Sequence, residues 1–129
     1  MQAQTVKTYP CPCCGYLVFG EAPGSYDICP ICYWEDDISQ LRFVDAGGAN
    51  HVSLVEAQQN FATFGASESR FMTKVRQPVS SEERDPLWRP VAATEVHELP
   101  TPGYDYGSAY PLEPSALYYW RPHHLRRTP

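Results

Sequence analysis

The chain has 129 residues, 43% apolar and 19% charged, a composition that suits one globular domain and excludes a wholly disordered chain. Its formal charge of −5 is carried by residues 1–88, with 6 basic and 11 acidic side chains, while residues 89–129 hold 4 of each and are neutral, so a phosphate-gripping surface is not expected. Met1 to Lys7 is polar and no apolar run reaches the roughly 18 residues of a membrane span, the pattern of a cytoplasmic chain without membrane contact.

Residues 9–37 contain all 5 cysteines, with Gly15, Gly20, Pro23 and Gly24 between them, the rhythm of short strands joined by tight turns. Tyr16 to Phe19 is the expected strand. The run Tyr33-Trp34-Glu35-Asp36-Asp37 is expected as a solvated acidic loop, with Trp34 packed over the turn before it. Asp45-Ala46-Gly47-Gly48-Ala49-Asn50 is expected as a loop that punctuates rather than packs, its paired glycines permitting positive φ or close backbone approach.

Ser53-Leu54-Val55-Glu56 has the form of a capping box and predicts a helix over 54–64, ended by Gly65. Leu54, Ala57, Phe61 and Phe64 share one face of it, which should pack on the cysteine-bearing strands. Between 66 and 90 the pattern weakens, because Pro78 and Pro86 interrupt what Phe71, Val75 and Val79 could form as a short strand or extended segment. Trp88 is expected to close the packed region. Residues 91–129 are expected as an extended Pro- and Tyr-rich tail, since 7 prolines in residues 89–129 forbid a helix or central strand. Disordered chains are poor in aromatics, however, so Tyr104 to Tyr110 and Leu117 to Trp120 should anchor this tail to the domain or to a partner. No internal repeat is visible.

The cysteines carry the chemistry. Cys11-Pro12-Cys13-Cys14-Gly15 and Cys29-Pro30-Ile31-Cys32 contain two C-x2-C units separated by 14 residues, just below the usual spacing of a paired-knuckle metal site. Two such knuckles facing each other supply four soft thiolates, which suits one structural Zn2+ on Cys11, Cys14, Cys29 and Cys32. Iron in a rubredoxin-like site is the competing metal, disfavoured by the affinity order. Cys13 is expected to ride on an exposed turn as a non-ligand, the sharper alternative being a thiol activated beside the metal. The Asn50-His51 pair beside the glycines faintly matches HNH nucleases, yet no His precedes them and Asn60 is the other candidate on the helix, so His51 is better taken as a loop histidine. His123 and His124 lie in the tail and point to no chemistry.

Taken together, Cys11 to Tyr16, Gly24 to Asp37, Gly47 to Asn50 and Ser53 to Phe61 resemble the bacterial cysteine-rich CPCC family. The resemblance runs from about Tyr9 to Arg89 and includes Phe64 to Glu68 and Glu83 to Pro86. It implies a small bacterial zinc-ribbon-like protein and carries over no catalytic residue. The expected fold is therefore small α+β: short antiparallel strands bearing two knuckles, with one packed helix, over residues 9–90. The expected function is a non-enzymatic module that binds another protein, with a zinc-ribbon nucleic-acid binder and a degenerate metal-dependent nuclease as alternatives.

Overall fold

A computed structural model of the chain describes residues 9–95, 100 and 113–122. Strand β1, Tyr9–Pro10, pairs antiparallel with β2, Leu17–Phe19, placing Tyr9 opposite Phe19 and Pro10 opposite Leu17. One step along β1 thus spans two along β2, a bulge that sharpens the local twist. On the far side of β2, Leu17 N–H donates to Glu83 O at 2.8 Å and Tyr16 bridges Arg84, so residues 83–84 lie beside it as a third extended piece. A second hairpin closes at an Ile28–Glu35 bridge.

Helix α1, Ile38–Arg42, follows that hairpin and is capped by the Asp37 carboxylate, which accepts from Ser39 N–H at 2.8 Å. Helix α2, Leu54–Phe64, has the expected bounds: Ser53 Oγ accepts from Glu56 N–H at 3.1 Å, and Gly65 ends it in the left-handed conformation at φ 84°. Leu54 and Ala57 are buried on its inner face, Phe61 packs on the same core, and Phe64 is half-buried. The segment after α2 departs from a strand. It makes a short 3-10 turn at Ser69–Phe71, and no strand forms over 72–82, where Arg76 N–H donates to Pro30 O at 3.2 Å and Val79 stays exposed, before residues 83–84 reach β2.

The core gathers the cysteines with Val18, Phe19, Ile31, Trp34, Leu41, Val44, Leu54 and Ala57, and also with Leu117, which ends another 3-10 turn, Pro114–Leu117, and with Tyr118 and Trp120 just after it. Tyr104 to Tyr110 lies outside the described residues. The architecture is a small α+β fold of zinc-ribbon type, with two short strands, a main helix and a cluster of cysteines. No helix among the described residues is long and apolar enough to cross a membrane.

Two expectations about loops are corrected. Asp36 and Asp37 are 3% and 5% exposed, not solvated, since their carboxylates satisfy buried donors. Ser25 Oγ donates to Asp36 at 2.7 Å, and Asp37 accepts from Ser39 and, at 2.8 Å, from Ala49 N–H. The 45–50 loop is exposed at Asp45, Gly47, Gly48 and Ala49 but packs through a buried Asn50. Its Asn50 side chain accepts from Glu35 N–H and donates to Glu35 O, each at 2.9 Å, as a neighbouring strand would. Gln40, fully buried, donates to Ala46 O and Val52 O and accepts from the Asn50 backbone and side-chain amides. A Cβ on Gly48 would stand 2.5 Å from an Asp37 oxygen, which explains the glycine there.

Candidate metal centre

The two knuckles share one hydrogen-bond frame. In knuckle 1, Gly15 N–H donates to Cys11 O and Cys11 N–H donates to Tyr16 O. In knuckle 2, Tyr33 N–H donates to Cys29 O and Cys29 N–H donates to Trp34 O. Each reversal needs a left-handed residue after its second cysteine, supplied by Gly15 at φ 84° and Tyr33 at φ 71°. The equivalence shows in sequence as the shared Cys-Pro-x-Cys, while the residues that follow, Gly15-Tyr16 and Tyr33-Trp34, differ.

These turns bring the sulfurs of Cys11, Cys14, Cys29 and Cys32 together, all within 4.8 Å of one another and all buried. Cys11 and Cys32 Sγ are 3.5 Å apart, and Cys14 and Cys29 Sγ 3.8 Å. A tetrahedral ion with metal–sulfur bonds of about 2.3 Å sets its sulfurs about 3.8 Å apart, so the donor set fits such an ion in both chemistry and spacing. Ile31 N–H points at Cys29 Sγ at 3.4 Å, the backbone-to-sulfur bond that steadies a thiolate.

The electrostatics favour a cation. Burial, reinforced by neighbouring thiols, pushes Cys11 and Cys32 well above the usual thiol range. Burial works the same way on Cys29, but hydrogen bonds from Cys11, Cys14 and Cys32 overcome it and hold that thiol well below. Cys11, Cys29 and Cys32 are thus set against one another for negative charge, a conflict that a divalent ion would remove by stabilising the thiolates together.

Cys13 is a correction. It is fully buried instead of riding on an exposed turn, and its thiol is raised by burial while hydrogen bonding toward Cys32 partly offsets the shift. It stands outside the group of four sulfurs. Trp34, as expected, is fully buried beside knuckle 2. His51 and Asn60 do not converge on shared chemistry: His51 Nδ1 meets Arg70 at 3.2 Å, and Asn60 Nδ2 donates to Ser67 O at 2.9 Å. Sequence reasoning missed Asp85 and Gln58, which hold the backbone of knuckle 1 and have no local signature, their partners being 70 and 46 residues away respectively.

No curated protein matches the sequence. Residues 9–82 match the family described as Cysteine-rich CPCC, more than half the chain and a span that holds both knuckles, α1 and α2. The chain therefore belongs to the cysteine-rich CPCC family.

Proposed function

We propose that this is a small binding protein held together by one structural zinc ion and directed at another protein. The observation that carries the metal half is the group of four buried sulfurs within 4.8 Å of one another. An all-thiolate set fills a tetrahedral shell and leaves no position for water or substrate, the mark of a structural site. Zinc is favoured over iron by its place in the affinity order. All five cysteines are free thiols, a state that suits a reducing cytoplasm. The partner half is supported by the net charge of −5, which repels phosphate backbones, and by Tyr26, Ile28, Met72, Val79 and Leu87, whose exposed apolar surface a protein partner can cover.

Elemental analysis of protein purified under reducing conditions should find close to one zinc per chain, and a strong chelator should abolish its cooperative unfolding transition. Cys14→Ser and Cys29→Ser should lose zinc and solubility, whereas Cys13→Ser should keep its zinc. Bound iron, or a native disulfide between the knuckles, would refute the metal half. Salt-sensitive retention on DNA or RNA would refute the partner half.

A further inference from the structure

The carbonyl oxygens of knuckle 1 are gripped from outside. Pro12 O accepts from Gln58 Nε2 at 3.0 Å and from Trp88 Nε1 at 2.9 Å, Cys14 O accepts from Arg84 Nε at 2.9 Å, and Gly15 O accepts from Asp85 N–H at 2.8 Å. Two of these holders also seat the C-terminal segment. Gln58 Nε2 donates to the Tyr119 hydroxyl at 2.8 Å. Asp85 Oδ2 accepts from Trp120 Nε1 at 2.9 Å and from the Arg121 guanidinium at 3.0 Å. At both points a single residue stands between the knuckle and residues 119–121.

Apolar contact runs in parallel, since Leu117, Tyr118 and Trp120 are at most 7% exposed and share one cluster with the four cysteines. The segment's backbone bonds close on itself, from Tyr118 to Ser115 and from Arg121 to Tyr118, so side chains make the seat and it can open without unzipping a sheet. The family match ends at residue 82, which leaves Asp85, Trp88 and the whole segment beyond it.

We propose that residues 117–121 are a clasp that controls how fast the centre gives up its metal, with Gln58 and Asp85 as positioning residues. The proposal rests on the metal-centre reading above. For a metal to leave, Cys11 and Cys14 must swing away from Cys29 and Cys32, and that motion pulls the Pro12, Cys14 and Gly15 carbonyls from their donors. A seated clasp holds two of those donors in place. By reciprocity, a bound metal holds the clasp.

The test uses full-length, zinc-loaded protein and follows zinc transfer to an excess of a chromogenic chelator, with chymotryptic cleavage at Tyr118 to Trp120 as a second readout. Asp85→Asn keeps the side-chain volume but can turn an amide toward the indole and guanidinium donors. It and Trp120→Ala should release zinc about tenfold faster and Tyr119→Phe about threefold faster, with cleavage rising in the same order. Ser53→Ala, which removes an exposed helix-cap bond and none of the clasp's hydrogen bonds, controls for general destabilisation and should release zinc no faster than its thermal midpoint accounts for. If Asp85→Asn does not fold, Tyr119→Phe, which lacks one oxygen, decides the matter. Faster cleavage with zinc released at the wild-type rate overturns the clasp. Wild-type protein that takes up no zinc overturns the metal-centre reading itself, a separate result.

Discussion

Gly15 and Tyr33 hold the same place in their knuckles, yet the two positions differ in what a side chain would meet. A Cβ at Gly15 would lie 2.6 Å from the Trp88 ring, whereas the Tyr33 ring finds room against Phe71, with centroids 4.6 Å apart. Gly15→Ala therefore adds a steric clash to the roughly 1–2 kcal/mol cost of a left-handed residue. Thermal melts of the zinc-loaded protein should show a large loss for Gly15→Ala. Tyr33→Gly should be close to neutral, because relief of the backbone offsets the lost ring contact of about 1 kcal/mol.

Asp36 offers a second test at this scale. Burial raises its carboxyl to about 6, although the Ser25 hydroxyl and N–H bonds oppose the shift. The folded chain thus holds a proton on Asp36 that the unfolded chain releases near pH 4, so this group's contribution is full at low pH and falls away as pH rises from about 4 through 6. Asp36→Asn keeps an oxygen for Ser25 and never ionises. Its thermal midpoint should exceed that of the wild type by several degrees at pH 7.5, and the difference should shrink by pH 5.

At the scale of elements, the join between the second hairpin, α1 and the 45–50 loop depends on Asn50 and Gln40 more than on apolar contact. Asn50→Ala strips both side-chain partners from the Glu35 backbone and one of two donors from the buried Gln40 oxygen, which should cost about 2–4 kcal/mol through unpaired buried groups. The Asn50 backbone N–H survives the change, so its bond to Gln40 limits the loss. Ser53→Ala, which removes one exposed cap bond, should cost about 1 kcal/mol. Denaturant midpoints would rank the two, and equal losses would mean that the polar network carries little of the join.

Local chemistry explains which elements were legible. The Ser53 cap, the apolar spacing of 54–64 and Gly65 all act within one helix, and the C-x2-C spacing dictates a turn, so α2 and the meeting of the cysteines follow from short-range pattern. Helix α1 has five residues, too few for a periodicity to show, and its Asp-Asp prefix has the look of a solvated charge run. What buries those aspartates is Ser25 and Ala49, placed by turns whose geometry no short window contains.

At the scale of the whole molecule, distant parts of the chain complete one core. Leu117, Tyr118 and Trp120 enter it from beyond the span that defines the family, tied down by Asp85 and Gln58. The aromatic content of the tail foretold an anchor, but a sequence cannot specify which surface receives it when donor and acceptor are 35 residues apart, as Trp120 and Asp85 are. A metal held by the cysteines would act with the core as a single cooperative unit, because the sulfurs lie inside the apolar cluster and not on a separate lobe.

The pairing of Asn50 with Glu35 also bears on how molecules of this protein behave toward one another. A sheet with few strands normally presents a row of unpaired N–H and C=O groups that recruits strands from neighbouring chains. Here a side-chain amide occupies both backbone groups of Glu35, and Glu83 O occupies the outward Leu17 N–H of β2. At Glu35 pairing ends without being extended, since Asn50 offers one amide and no further backbone in register, while at β2 residues 83–84 themselves take the outer place. A crowded solution of the protein therefore meets blocked templates at these two positions, a safeguard against edge-to-edge aggregation that works by terminating the ladder.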